Sequence, residues 1–229
     1  GRQNTASGTQ SAVGGGNNNT SSNDYATISG GVDNTVSGAY SFIGAGENNT
    51  AGTNSYATIA GGNSNTVNGP KSFIGGGQTN TIDSNSTLST IAGGLSNQTQ
   101  SSYGFVGGGK SNTVFEGDYH TIGGGQNNIA GNNGGTDSHA TIGGGFDNYA
   151  RASYSTIAGG NNNEINDVAA DYGFIGGGLS NRITTNTYAT VAGGNSNTAS
   201  GAQSSVVGGN ANNASGDDSF IGGGNGNTS

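Results

Sequence analysis

The stretches YATIAGGNSNTVNG at residues 56–69 and YATVAGGNSNTASG at residues 188–201 are nearly identical, although they lie far apart in the chain. In each stretch an apolar β-branched residue precedes a Gly pair, and Asn stands six places after that residue. Related segments recur along the whole chain. A period this short, repeated this often, indicates a solenoid in which each repeat forms one coil.

The repeats keep a strict register. We call the β-branched residue before each Gly cluster the anchor. Gly stands three places after every anchor and Asn stands six places after it, whereas a disordered chain has no physical reason to keep such an order. The 14 anchors are Val13, Ile28, Ile43, Ile59, Ile74, Ile91, Val106, Ile122, Ile142, Ile157, Ile175, Val191, Val206 and Ile221.

The composition alone suggests a different conclusion. The 229 residues include 49 Gly, only 28% of them are hydrophobic, and the formal net charge is −8. So few large apolar side chains are typical of disorder rather than of a conventional core. The single Pro and the absence of a three-residue period exclude collagen. The order of the residues therefore decides the fold, and a stack of thin coils is compatible with this composition.

A repeat of about 15 residues accommodates two short strands and two turns, which make one coil of a parallel β-solenoid. We expect the first strand to end at the anchor, as in residues 56–59, and the second to start near the Asn, as in residues 34–38. Strand alternation places the anchor and the small residue two places before it on the inward face. Stacked Asn side chains can form a ladder between coils. The predicted fold is an all-β parallel solenoid of about 14 coils of 15–16 residues, with two short strands in each coil.

The chain begins and ends within a repeat. We therefore expect residues 1–229 to form a single repeat domain, cut from a longer fibre protein. No apolar run approaches the roughly 20 residues of a membrane-spanning helix, and the 5 Lys and Arg residues are scattered. We expect no membrane contact by this segment and no nucleic-acid partner.

Aromatic residues occupy two fixed positions that we expect to face outward from the first strand. Tyr stands three places before the anchor in eight coils, and Phe stands one place before it in five coils. From residue 27 to residue 121 the latter position alternates between Thr and Phe, which suits interdigitation around a symmetry axis. Such a stripe favours self-association, with packing against another domain or a ligand-binding face as alternatives. The predicted trimer-interface residues are Tyr25, Phe42, Tyr56, Phe73, Phe105, Tyr119, Phe174, Tyr188 and Phe220.

Three coils are longer than the rest, the shortest of them with anchors 17 residues apart between Ile74 and Ile91. Insertions in solenoids often form binding loops. The anchors are 20 residues apart between Ile122 and Ile142 and 18 residues apart between Ile157 and Ile175. Length variation in exposed turns is the alternative explanation. The candidate ligand-binding residues in these two coils are Asn132, Asn133, Thr136, Asp137, Asp167 and Asp171.

Residues that carry catalytic or metal chemistry are sparse. The chain has no Cys, and its two His residues, His120 and His139, stand two and three places before their anchors, on opposite faces. Asn or Thr stands where calcium-binding Gly-rich repeats need Asp. The Gly runs lack the Lys and the Ser or Thr of a phosphate-binding loop. We predict no catalytic residue, no metal site and no cofactor.

The runs STIAGG at residues 155–160 and ATVAGGNSNTASG at residues 189–201 resemble the head repeats of YadA-like trimeric autotransporter adhesins. The resemblance covers essentially the whole chain, although many copies carry FIGGG instead, as at residues 73–77. It implies a left-handed β-roll, three chains packed side by side as a homotrimer, and a place on the bacterial cell surface. The implied function is adhesion to host cells, matrix proteins, glycans or other surfaces.

Two other functions are compatible with these repeats. Related repeats could serve a phage or other viral tail fibre, as a shaft or receptor-binding segment of a virion. Residues 34–38 and 65–69 also resemble the N-x-V-x-G repeats of grass ice-binding proteins, and Thr follows the Asn in eight coils. Thr is, however, a favourable outward strand residue in any sheet. The Thr row breaks at Gln98, Ile129, Tyr149, Glu164 and Arg182.

Overall fold

A computed structural model describes residues 1–166, 169–184 and 186–229 of the chain. These residues contain 28 strands of two residues each, two strands for every coil. They divide into two compact units, Gly1–Ser111 and Asn112–Ser229. Within the described ranges, no helix is long and apolar enough to cross a membrane.

The strands alternate regularly between two sheets in each unit. In the first unit they are β1 (Thr5–Ala6), β2 (Ala12–Val13), β3 (Thr20–Ser21), β4 (Thr27–Ile28), β5 (Thr35–Val36), β6 (Phe42–Ile43), β7 (Thr50–Ala51), β8 (Thr58–Ile59), β9 (Thr66–Val67), β10 (Phe73–Ile74), β11 (Thr81–Ile82), β12 (Thr90–Ile91), β13 (Gln98–Thr99) and β14 (Phe105–Val106). In the second unit they are β15 (Thr113–Val114), β16 (Thr121–Ile122), β17 (Ile129–Ala130), β18 (Thr141–Ile142), β19 (Tyr149–Ala150), β20 (Thr156–Ile157), β21 (Glu164–Ile165), β22 (Phe174–Ile175), β23 (Arg182–Ile183), β24 (Thr190–Val191), β25 (Thr198–Ala199), β26 (Ser205–Val206), β27 (Asn213–Ala214) and β28 (Phe220–Ile221).

All strand pairs within a unit are parallel, and each strand pairs with its equivalent in the neighbouring coil. We call the sheet of even-numbered strands the anchor sheet, because each of its strands ends at an anchor, and the sheet of odd-numbered strands the second sheet. In the anchor sheet, for example, Phe73 lies between Thr58 and Thr90. Equivalent repeat positions therefore form straight rows, and the predicted parallel β-solenoid of about 14 coils is confirmed.

The strands are shorter than the sequence pattern suggests. The expected strand over residues 56–59 is only Thr58–Ile59, and the expected strand over residues 34–38 is only Thr35–Val36. Tyr56 has a φ of 64°, in the left-handed region, and lies in a turn. An extended strand cannot include a residue in that conformation, so the Tyr position is a corner of the coil.

The core of a coil consists of three inward side chains, two of which are the expected anchor and the small residue before it. In one coil these are Ala57, Ile59 and Val67, which are all fully buried. They correspond to the anchor, the small residue two places before it and the residue eight places after it. A coil of this kind buries little apolar surface by itself, so its stability depends on the coils stacked against it.

The predicted Asn ladder is present and buried. The Oδ1 atom of Asn163 accepts hydrogen bonds from the backbone N–H and the Nδ2 group of Asn181 in the next coil, at 3.0 and 3.1 Å. Its Nδ2 group lies 3.2 Å from Oδ1 of Asn148 and 3.1 and 3.0 Å from the carbonyl oxygens of Gly159 and Gly178. Each ladder Asn thus connects three successive coils and satisfies the backbone at the Gly turn.

Gly is required three places after each anchor for two reasons: the backbone of the next coil lies very close, and the residue adopts a positive φ. Gly31 has a φ of +98°, and a Cβ atom at this position would overlap the carbonyl oxygen of Gly46 in the next coil. A side chain here would both strain the turn and separate the coils. This explains why the sequence keeps Gly at this place in every repeat.

Removing one ladder side chain should destabilise the solenoid strongly. We expect Asn163→Ala to lower the free energy of unfolding by about 2–4 kcal/mol, because it leaves the buried N–H of Asn181 and the carbonyl of Gly159 without their partner. The measurement is equilibrium chemical denaturation. Asn162→Ser is the matched control, since Asn162 is exposed and Ser occupies the equivalent position at Ser180. Equal losses for the two variants would contradict a special role for the ladder.

Candidate interaction surfaces

The Phe side chains form an exposed row on the anchor sheet. In the first unit Phe42, Phe73 and Phe105 are 38%, 39% and 40% exposed. Thr58 and Thr90 lie between them in the same row. In the second unit Phe174 and Phe220 are also exposed. The structure therefore places these predicted interface residues on a solvent-facing sheet, with large and small side chains alternating in the first unit.

The Tyr side chains do not lie on the strands, and this corrects the expectation of a single stripe outward from the first strand. Tyr25, Tyr40 and Tyr56 have φ values of 57°, 56° and 64° and occupy the corner before the anchor sheet. Their rings stack on one another, with centroids 4.7 and 5.1 Å apart. The ring faces are therefore largely covered within the chain, and the aromatic residues form two distinct rows.

The second unit has a longer stack, and one of its members was not expected. His139 lies between Tyr119 and Tyr154, with ring centroids 4.9 and 4.7 Å away. Tyr172 and Tyr188 continue the stack at 5.0 and 4.8 Å. The sequence already contained the signal, since His139 stands three places before its anchor, where these Tyr residues also stand.

The longest insertion does not present all of its predicted ligand residues to solvent. Asn133 and Thr136 are exposed and Asn132 is half-buried, whereas Asp137 is only 6% exposed. The backbone N–H of Gly135 closes this loop by donating to the carbonyl of Asn132 at 3.0 Å. Of the four candidate residues in this insertion, Asn133 and Thr136 are therefore the two that are exposed to solvent.

Asp171 belongs to the other insertion and lies between strands β21 and β22 in the sequence. Oδ1 of Asp171 accepts a hydrogen bond from the backbone N–H of Ser153 at 3.0 Å. The hydroxyl of Ser153 in turn accepts one from the N–H of Ser138, which follows the first insertion, at 3.3 Å. Asp171 thus binds a backbone N–H of the preceding coil. Asp167 lies outside the described residues.

A charged cluster on the second sheet was missed by the sequence reasoning. Glu164 forms ion pairs with Arg151 at 3.1 Å and with Arg182 at 3.2 Å. The guanidinium of Arg151 lies 4.8 Å from the ring centroid of Tyr149. The hydroxyl of Tyr149 donates to Asp147 at 2.7 Å, and this bond is the main cause that raises the pKa of Tyr149. The charges in the cluster neutralise one another, so it connects successive coils rather than offering an unpaired charge.

The Thr row on the second sheet is regular from β3 to β11 and is then interrupted by Gln98 of β13. Thr20, Thr35, Thr50, Thr66 and Thr81 pair in register along successive strands. All of them are half-buried. The row is therefore flat, polar and uncharged.

The inward residue two places before each anchor is Ser, Ala or Gly, except in one coil, where it is His120. The side chain of His120 is fully buried. Its Nδ1 atom accepts a hydrogen bond from the backbone N–H of Ala140 at 3.0 Å, and Nε2 lies 3.2 Å from the carbonyl oxygen of Glu116. Burial lowers the pKa of His120 below 6.5. The His pair is confirmed to face opposite ways, since His139 is exposed. No group of three or more potential metal ligands occurs among the described residues.

Comparison with known proteins does not assign the chain to a family. No protein-family model matches the chain, and no curated protein matches it either. The resemblance to adhesin head repeats therefore continues to rest on the repeat motifs themselves.

The buried His120 should make the second unit sensitive to mild acid. Because the folded state lowers its pKa, its contribution to stability is complete above pH 6.5 and decreases as the pH falls towards the folded-state pKa. We expect thermal unfolding to show a loss of stability between about pH 7 and pH 5, where carboxylates still contribute little.

His120→Ser should reduce that pH dependence, since Ser occupies the same position at Ser155. His139→Tyr is the control, because it restores the residue found at that corner in neighbouring coils and leaves His120 in place. An unchanged pH profile in His120→Ser would show that another group is responsible.

Proposed function

We propose that this chain is a non-enzymatic, homotrimeric segment of an extracellular fibre, the β-roll head of a bacterial surface adhesin that attaches to host cells, matrix proteins, glycans or other surfaces. The observation that carries the proposal is the exposed Phe row on the anchor sheet. An ordered row of apolar side chains at a regular spacing is suited to a partner with the same periodicity.

A second and third copy of the chain have that periodicity. A threefold axis parallel to the stacking direction keeps equivalent residues of the three chains at one level. In the first unit, layers of three Phe rings would then alternate with layers of three Thr side chains. Rings from a Phe layer can fill the space beside the smaller Thr layers above and below. The alternation along the row from Phe42 to Phe105 supports this arrangement.

The Tyr rows contribute less to such an interface than their number suggests. Many of their ring faces already contact one another, so association would cover mainly ring edges, hydroxyl groups and the outer faces of end rings. Of the nine residues predicted at the interface, we therefore expect the Phe residues to contribute most.

The proposal predicts a trimer in solution that depends on the Phe row. Burying the exposed part of one Phe ring is worth on the order of 1 kcal/mol. Phe73→Thr with Phe105→Thr removes six rings from a trimer, so we expect it to weaken assembly by about 6 kcal/mol per trimer. Sedimentation equilibrium measures the oligomeric state.

Ile129→Thr is the matched control, because it removes an outward apolar side chain from the second sheet. It should leave the trimer intact. If the unmodified chain is a folded monomer, the trimer proposal is wrong. That result would favour packing of the Phe row against another domain or a ligand.

Attachment is tested directly with particles coated with the trimer. The adhesin proposal expects them to adhere to surfaces bearing host matrix proteins or cells, and Asn133→Ala with Thr136→Ala tests whether the exposed insertion contributes. No adherence to host surfaces, together with binding to bacterial cells, would favour the alternative of a phage or viral tail-fibre segment.

The regular Thr row favours ice binding as a second candidate function. A flat row of half-buried Thr side chains with restricted rotamers is a rigid polar surface. If it binds ice, the chain shows thermal hysteresis that Thr35→Lys with Thr66→Lys abolishes. Thr58→Lys on the anchor sheet is the control and should preserve it. Absence of hysteresis at high protein concentration ends this idea.

A further inference from the structure

We propose that the stacked Tyr residues are an oxidative cross-linking site, at which one-electron oxidation joins Tyr residues of adjacent coils within one chain. The proposal concerns two groups, which we call the tyrosine ladders. They are Tyr25, Tyr40 and Tyr56 in the first unit and Tyr154, Tyr172 and Tyr188 in the second. It does not depend on the proposed adhesive function.

The geometry of the ladders is the first observation. Ring centroids of neighbouring members are 4.7 to 5.1 Å apart, and the ring planes are within 8° of parallel. The fold therefore holds each Tyr ring next to a Tyr ring of the neighbouring coil with which it could react. Their effective concentration is far above that of rings on separate molecules.

The backbone holds this geometry. Each ladder Tyr has a φ between 55° and 64°. Its backbone N–H donates to a carbonyl oxygen in the preceding coil, as Tyr172 does to Ser153 and Tyr188 to Asp171, both at 3.0 Å. Tyr is not a residue that favours the left-handed region. Its use at this corner in both units is explained by the stacking that the corner allows.

The reactive atoms are accessible. The ladder Tyr residues are 44% to 55% exposed. The facing rings cover one another in part, so the remaining exposure includes ring edges and the outer faces of the end rings. The ortho carbons flank the hydroxyl at the end of the ring farthest from the backbone, so an oxidant in solution can reach the part of the ring that couples.

The chemistry is dityrosine formation with a peroxidase and hydrogen peroxide as the oxidant. Each of two Tyr residues loses one electron and its phenolic proton, and the two radicals join through one ortho carbon of each ring. Loss of the two ortho hydrogens as protons, which return to the phenolate oxygens, restores both aromatic rings. The net change is one C–C bond formed, two C–H bonds broken and one peroxide molecule reduced to two waters.

Tyr149 provides an internal comparison. It lies on the second sheet between Ile129 and Glu164, and its hydroxyl donates to Asp147 at 2.7 Å. The adjacent strands therefore supply no phenol with which it could couple. Tyr149 is half-buried, so any link that it makes would have to join it to a Tyr residue of another chain, at a lower rate than the ladder residues couple within one chain.

The experiment treats an equal mixture of isotope-labelled and unlabelled full chain with peroxidase and hydrogen peroxide, followed by digestion and mass spectrometry. We expect cross-linked peptides that join Tyr25 to Tyr40, Tyr40 to Tyr56, Tyr154 to Tyr172 or Tyr172 to Tyr188. Both peptides of each link should carry the same label, because the bond forms within one chain even if chains associate.

Tyr40→Phe with Tyr172→Phe keeps the stacked rings but removes the middle phenol of each ladder, so we expect all four links to be lost. Tyr149→Phe is the matched control and should leave them unchanged. Links that carry mixed labels, or that involve Tyr149 as often as ladder residues, would overturn the proposal. So would the absence of dityrosine under conditions that couple free tyrosine.

Discussion

The structure depends on hydrogen bonding between coils through buried Asn side chains. A coil with three small or medium inward side chains cannot exclude water by apolar burial alone. The ladder Asn satisfies backbone groups at the Gly turn of its own coil and of the next coil, as Asn34 does with Gly30 and Gly46. Because an unpaired amide in the core is costly, only the correct register satisfies every Asn. The same contact therefore supplies both stability and register.

The sequence predicts the parts of the fold that every coil repeats. Anchor, Gly and Asn positions are constrained by the core and by the turn, so their identity is nearly invariant and their periodicity is visible. Residues at the corner are constrained by backbone conformation instead. Alternation counted back from the anchor places this Tyr on the outward face if the strand extends that far, whereas Tyr40 has a φ of 56°. Single-residue alternation could not reveal a left-handed corner.

The charged cluster illustrates a second limit of sequence reasoning. Glu164 and Arg182 were recognised only as breaks in a Thr row, because their pairing depends on which coils become neighbours and how their side chains turn. Insertions add to this difficulty. Asp137 and Asp171 are each the last candidate residue of an insertion. Asp137 is buried, whereas Asp171 accepts a hydrogen bond from the backbone N–H of Ser153. Loop side chains are fixed by local contacts that leave no periodic signal.

A uniform backbone with different outward rows allows one fold to carry several surfaces. Within each unit, continuous rows arise because neighbouring strands pair in register, so a substitution repeated along one position changes a whole face without disturbing the core. The Phe row leaves ring surface for another molecule, whereas in the tyrosine ladders each ring covers its neighbour. Two rows only two residues apart in sequence therefore differ in what they can do. Association between chains depends on Phe ring surface that the chain leaves exposed. Coupling within a chain depends on Tyr rings that already face one another.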